Sequence, residues 1–469
     1  MGIITNIRGW IGMLFKSKVK EEFNVVPLTS AELEDLIDRC GKVYKGNPDW
    51  VNDEDHIKTI NFAKAICSET ARLTMLAAGI SIDGSARAEW LQKQIEKVYY
   101  NLREWVEYGC AYGTVILKPN GEAVDIITPD RFIVTNQDNG EITGAVFFFS
   151  DSSADGKTKY SRLEWHRFVG GKYVITNKCF SGTSKNNAIK EVPIDKTPWA
   201  GVLEEVAIEN VEKPLFGVFK TPQANNIDIG SPMGLPVFFD ALEELADLDV
   251  AYSRNAKEIL DSSRILLLDS DRMTPTGGKI EDITRTFQSA RAAMGLPDMV
   301  KNVYGDGQNT FYQEINPSLN TDVRLSGINA LLSQIGYKVG FSNGYFVFNE
   351  STGIQTATGV EAEQQRTIQF IKDMRDKLED CLNGLIYAMD KFADLYSLAP
   401  LGKYETVFDF GDITYNRDED RSRWYGYVAS GKVPFWYYLV KFEGFTEKEA
   451  KELDKMAKPT LPTLFGQEE

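Results

Sequence analysis

Residues able to do chemistry are few in this 469-residue chain and rarely grouped. The densest acidic group is Asp409, Asp412, Asp418, Glu419 and Asp420, which offers hard oxygen ligands for a divalent cation; a solvated charged face has the same composition. Asp409 and Asp412 are the candidate ligands, and with a metal they would support cleavage of a DNA strand. Asp409-Phe410-Gly411 also copies the magnesium triplet of protein kinases. No His-Arg-Asp loop or Gly-rich loop accompanies it, so a strand end and turn is expected there. Asp155-Gly156-Lys157-Thr158 resembles the end of a phosphate-binding loop, but Asp151 stands where that pattern needs glycine. Only His56 and His166 exist, too few for a multi-histidine metal site, and each is expected on the surface or in a sheet. The five cysteines, Cys40, Cys67, Cys110, Cys179 and Cys381, are scattered and lack CxxC spacing, which speaks against a disulfide framework or zinc site and fits a reducing compartment. The chain is therefore expected to need no cofactor and not to be an enzyme.

A different chemistry is offered by Ser342-Asn343-Gly344-Tyr345-Phe346-Val347-Phe348-Asn349. Its aromatic residues suit stacking on nucleic acid, and they equally suit packing against a neighbouring subunit. Lys338, just before it, is a candidate phosphate contact. The net charge of −16 argues against a protein that grips nucleic acid by neutralising phosphates. It does not argue against one that nucleic acid slides past.

The elements that must position this loop are legible from periodicity. Val237, Phe238, Ala241, Leu242, Leu245, Leu248 and Tyr252 predict a helix that starts at the Pro236 turn and runs to about Asp261. Arg264 to Leu268 reads as a strand, Pro275 to Gly278 as a turn, and Tyr304-Gly305-Asp306-Gly307 between Val300 and Phe311 as a hairpin. A second helix opens near Ser318 or Asn320 and ends near Gly340. From Val360 the apolar positions Ile371, Met374, Leu378, Leu382, Leu385, Met389 and Phe392 predict one helix to Leu398, long enough to suggest an element spanning an assembly, the alternative being a large soluble core.

Before these lie helices over 61–76 and 87–108, a switch at Gly109 to Gly113 into a strand from Thr114, and strands near 132–135, 145–149, 162–168 and 172–176. This is an α+β pattern with an antiparallel sheet. After the long helix, Thr406 to Tyr415 reads as a strand and Thr446 to Ala457 as a helix capped by Thr446. No run reaches the ~18 apolar residues of a membrane-crossing helix. The apolar N-terminal stretch ends basic, the wrong charge order for a signal peptide, and Asn6 breaks the myristoylation pattern; a mobile or partner-docking arm is expected over residues 1–25.

Several segments, in order, resemble the portal proteins of tailed bacteriophages, especially those of phages with Gram-positive hosts. They are Asn61-Phe62-Ala63-Lys64-Ala65-Ile66 with Ala71-Arg72-Leu73, the run Glu107 to Pro119, Thr356-Ala357-Thr358-Gly359-Val360, and Gly431-Lys432-Val433-Pro434 leading to Phe442-Glu443-Gly444-Phe445-Thr446. Gly359 replaces the glutamate of the family's Thr-Ala-Thr-Glu-Val signature. The resemblance implies a portal fold: a wing over 26–232, stem helices over 233–262 and 320–341, a clip over 263–319, a tunnel loop over 342–356, a long wing and crown helix over 357–398, and a C-terminal strand and crown helices over 399–469. It implies a ring of about twelve copies at one capsid vertex. Double-stranded DNA would pass through that ring past Lys338 and residues 342–349. The clip, with Arg272, Lys279, Arg285, Arg291 and Asp306, would dock terminase and then the head-tail adaptor. Major capsid and scaffolding proteins are the other implied partners, with assembly in the host cytoplasm, residence in the virion and no membrane. The competing readings are a metal-dependent DNA-cleaving enzyme and a scaffold or minor capsid protein without a channel.

Overall fold

The computed structural model describes residues 15, 17–51, 56–121, 123–153, 158–183, 186–261, 265–269, 299–303, 312–315, 321–347, 357–411, 417–443 and 445–457. The chain forms two compact units, Met1–Phe410 and Gly411–Glu469. Helix and sheet are mixed, as an α+β chain requires.

The first unit opens with α1 (Ala31–Tyr44), α2 (Phe62–Thr74), β1 (Gly79–Asp83) and α3 (Ala86–Tyr112). Ser30 Oγ caps α1 by accepting from the Leu33 amide at 3.3 Å. The predicted break at Gly109 does not occur, and α3 continues to Tyr112. Glycine serves there as a packing residue, since a Cβ would lie 2.3 Å from the Phe219 ring.

β2 (Thr114–Asn120) and β3 (Ala123–Ile127) follow, then β4 (Phe132–Asp138), β5 (Glu141–Ser152), β6 (Thr158–Val169), β7 (Lys172–Thr183), β8 (Asn186–Val192), β9 (Glu205–Ile208) and β10 (Gly217–Lys220). β4 to β8 form an antiparallel meander, and β9 pairs with the first half of β7. Alternation along the strands gives this sheet two apolar faces. Phe132, Val134, Ala145 and Phe147 meet Leu33 and Ile37 of α1, Ile116 of β2 and Leu235. Ile133, Val146 and Leu163 point the other way, onto Phe15 and Val19. The later part of the expected N-terminal arm is thus packed on the sheet by two buried side chains.

α4 spans Leu242–Asp261. It starts later than predicted: a 3₁₀ turn over Phe239–Ala241 precedes it, and the Val237 amide donates outside the helix, to the Cys110 carbonyl at 2.9 Å. β11 (Ile265–Asp269), β12 (Met299–Val303) and β13 (Tyr312–Ile315) form a sheet in the order β12-β11-β13, with β12 parallel and β13 antiparallel to β11. β12 and β13, which flank the predicted hairpin turn, do not pair with each other: β11, whose Ile265-Leu266-Leu267-Leu268 run suits a central strand, takes the place between them. The turns at 275–278 and 304–307 lie outside the described residues.

α5 (Thr321–Val339) and α6 (Ala357–Leu395) complete the helical scaffold. α6, at 39 residues, is about 58 Å long. From Thr367 to Ala393 its buried positions, among them Ile371, Met374, Leu378, Leu382 and Leu385, lie in the core of their own unit, so the large-core alternative accounts for that stretch. It stops at Leu395, short of Leu398: Ser397 turns left-handed and the Leu398 amide folds back onto the Ala393 carbonyl at 3.0 Å. β14 (Glu405–Asp409) pairs with β1, which joins the strand expected beside the C-terminal helices to the first unit.

The second unit contains α7 (Arg417–Ala429), α8 (Phe435–Tyr438), a π-helical turn over Leu439–Glu443 and α9 (Glu447–Ala457). Its core is aromatic, with Tyr438 and Phe442 rings 5.2 Å apart and Lys441 Nζ 4.0 Å from the Trp424 ring centroid. Thr446 caps α9 as predicted. Its Oγ1 accepts from the Glu449 amide at 3.4 Å while Glu449 Oε2 reaches back to the Thr446 amide at 3.1 Å.

Candidate nucleic-acid interface

α5 ends where Gly340 adopts φ +114°. Phe341 then inserts fully into the core beside Phe370, with ring centroids 5.6 Å apart. Ser342 is buried too. Its amide donates to Thr367 Oγ1 at 2.8 Å, and its Oγ accepts from the Thr367 amide at 3.3 Å, so the turn is bolted to α6.

Tyr345 and Phe346 are half-buried and face inward. The Tyr345 hydroxyl donates to Glu69 Oε1 on α2. Phe346 packs edge-on against Phe62 of α2 at 5.2 Å and against Phe341 at 4.8 Å. These two rings are therefore engaged within the chain, against α2 and Phe341, and not splayed for stacking. Gly344 and Val347 are partly covered, while Asn343 is exposed. Phe348 and Asn349 lie outside the described residues.

Lys338 is also committed. Its Nζ lies 2.7 Å from Glu244 Oε1 and donates to the Asp240 carbonyl at 2.8 Å, both at the start of the α4 region. The hydrogen bond from Lys338 to Glu244 raises the ammonium pKa above its ordinary value. A phosphate would have to compete with that pair.

Of the acidic candidates, Asp409 is exposed at the end of β14, where the predicted strand end and turn fall. Asp412 lies outside the described residues. Asp418, Glu419 and Asp420 sit in the first turn of α7, in the other unit. Among the described residues no group of three His, Cys, Asp or Glu side chains could hold a metal ion. The clip residues Arg272, Lys279, Arg285, Arg291 and Asp306 lie outside the described residues. No helix among the described residues is long and apolar enough to cross a membrane. No protein-family model matches this chain, and no curated protein does.

Sequence reasoning missed a buried ionic cluster in the sheet. Glu164 Oε1 lies 2.8 Å from Lys118 Nζ and 2.6 Å from His166 Nε2, and Glu164 Oε2 lies 3.0 Å from Arg162 Nη2. The signal was present in Arg162, Glu164 and His166, three charged or titratable residues at alternate positions of one strand, hence on one face. Burial opposes ionisation of Glu164, but Lys118 and the hydrogen bond with His166 prevail and hold its carboxyl well below the usual range. A cleft of about 220 Å³ between α3, the β2–β3 hairpin and the end of α6, lined by Trp90, Trp105, Phe392 and Leu398 among others, contains none of the predicted site residues.

Proposed function

We propose that this chain is a portal-type protein of a tailed bacteriophage, a non-enzymatic ring-shaped channel at one capsid vertex through which double-stranded DNA is packaged and ejected. The observation that carries this reading is the order of elements from α4 to α6: a helix, a three-stranded insert, a second helix packed back on the first, a short aromatic turn and one very long helix. In a channel assembly the α4–α5 pair is the stem, the sheet of β11, β12 and β13 belongs to the clip that docks terminase and then the head-tail adaptor, and residues 342–356 are the tunnel loop. The N-terminal α+β part is the wing and the C-terminal helical unit the crown.

The net charge of −16 suits this role, because an acidic passage repels DNA and keeps it moving, whereas a basic one would hold it through counterion release. Within the described part of the loop, Asn343 is the residue left exposed for such a passage.

The test is electron microscopy of the purified protein with mass determination in solution. Closed rings of about twelve chains around a central hole are expected. A compact monomer, or a small oligomer that persists across salt and protein concentration, would overturn the proposal. Absence of a closed ring in an assembled particle would favour a scaffold, and magnesium-dependent cleavage of DNA lost in Asp409→Asn would favour an enzyme.

A further inference from the structure

The six-stranded sheet encloses a chain of hydrogen bonds that runs in one direction. The Leu215 amide donates to the Tyr173 hydroxyl oxygen at 3.1 Å. That oxygen lies 2.9 Å from His166 Nδ1, and His166 Nε2 lies 2.6 Å from Glu164 Oε1. Tyr173 and His166 are 0% and 1% exposed, so both are shut off from bulk solvent. Glu164 is an ionised acceptor, so Nε2 carries a proton and donates to it. With the Leu215 amide occupying one lone pair of the Tyr173 oxygen, the hydroxyl proton has one acceptor among the described residues, the free lone pair of Nδ1. The arrangement fits a neutral imidazole protonated at Nε2.

A proton added at Nδ1 reverses this bond. Nδ1–H becomes a second donor to the Tyr173 oxygen, and the tyrosine's own proton is left buried without an acceptor, a loss of the kind that costs about 1–3 kcal/mol. The charged and titratable groups facing His166 are Glu164 and Arg162 on β6, Tyr173 on β7 and Lys118 on β2, with the Phe147 and Phe216 rings packed edge-on from β5 and from the segment before β10. Glu164 is the single carboxylate here against two cations, so a third positive charge finds little compensation.

We propose that this chain of bonds is a proton-operated latch: protonation of His166 releases the Tyr173 hydroxyl from its fixed orientation and, because a hydroxyl that no longer donates is a poorer acceptor, weakens its hold on the Leu215 amide, loosening the segment that feeds β10. The consequence reaches α6, because β10 begins at Gly217, which packs directly on Gly384 of the long helix. Burial, with Lys118 and Arg162, holds the imidazole pKa below its ordinary value in spite of Glu164. The latch is therefore closed at neutral pH and opens as the medium is acidified below the ordinary histidine range. The inference stands on the sheet alone and does not depend on ring formation.

Hydrogen exchange of the full chain, followed by mass spectrometry at pH 7.5 and pH 4.5 and corrected for intrinsic rates, tests it. Protection of a peptide spanning 209–216 is expected to fall about tenfold or more at the lower pH, with less change over β5. His166→Gln should abolish that pH dependence, and Tyr173→Phe should give weak protection at both pH values. Equal wild-type protection at the two pH values, or an undiminished fall in His166→Gln, would overturn the proposal. If His166→Gln does not fold, a remaining tenfold fall in Tyr173→Phe overturns it equally.

Discussion

The Tyr345 hydroxyl donates to the Glu69 carboxylate, joining the turn after α5 to the middle of α2 across 276 residues of sequence. Glu69 is held in place by Arg72, whose Nε and Nη2 each donate to it at 2.7 Å. Burial, then this bond, pushes the Tyr345 pKa up to about 12. Tyr345→Phe should therefore cost about 1 kcal/mol in urea denaturation. Tyr345→Ala, which also removes the ring from the Phe341 and Phe346 cluster, should cost about 2–3 kcal/mol. On the proposed portal function, Tyr345→Phe should match wild type in a DNA-retention assay, since the hydroxyl faces Glu69.

Gly217 and Gly384 bring β10 and α6 into backbone contact: a Cβ on Gly217 would lie 2.2 Å from the Cys381 carbonyl oxygen. Gly217→Ala should destabilise by about 2–3 kcal/mol, because the clash is with backbone that cannot swing away. Gly426→Ala on α7, where a Cβ meets nothing within 4 Å, should be neutral or stabilise by up to about 1 kcal/mol. Thermal denaturation of both variants separates the packing effect from helix propensity.

Arg375 reaches from α6 to the end of α2, donating from Nε to the Thr74 carbonyl at 3.1 Å and from Nη2 to those of Leu73 at 3.1 Å and Leu76 at 3.2 Å. It gathers the carbonyls at a helix terminus from 301 residues away. Arg375→Ala should cost about 2–4 kcal/mol, and Arg375→Lys should recover only part of that, because an ammonium cannot reproduce the planar fork. Chemical denaturation checks both.

Glu164→Gln should cost about 3–5 kcal/mol at neutral pH, since it leaves Lys118 and Arg162 buried without their carboxylate. The folded-state pKa of Glu164 is depressed, so its contribution is present above the unfolded carboxylate pKa and is lost as pH falls below it. Wild-type stability should thus decline more steeply than that of Glu164→Gln as pH drops below about 4.5. His166 contributes to the pH dependence of stability from a separate and higher starting point. A buried neutral imidazole with a depressed pKa costs stability as soon as the unfolded state takes up its proton, from about pH 6.5 downward.

All five cysteines are free and buried, and burial pushes the Cys40 thiol up to about 12 and raises Cys67, Cys110 and Cys381 as well. A thiol reagent at pH 8 should leave the native protein unlabelled and modify all five in guanidinium. Rapid labelling of the native state would contradict the burial.

The sequence by itself determined the elements whose apolar period is long and uninterrupted: α6 from Ile371 to Phe392, the strands from Ala145 to Thr176, the capped α9 and the mixed helix-and-sheet class. α1 was legible too, through Ser30 before Leu33, Leu36, Ile37 and Cys40 at helical spacing, and went unread. What only the tertiary structure decided is pairing and commitment. β14 finds β1 far back in the chain, and β11 separates two strands that look like a hairpin. Gly109 lies inside a helix, where its missing Cβ leaves room for the Phe219 ring. The candidate loop gave its composition but not its direction: the same aromatic residues suit a free surface or a packed turn, and Glu69, Phe62 and Thr367, remote in sequence, turn Tyr345, Phe346 and Ser342 inward. Periodicity reports which face of an element is apolar, because that is local; which partner covers it depends on contacts between residues hundreds of positions apart, and no local pattern encodes those.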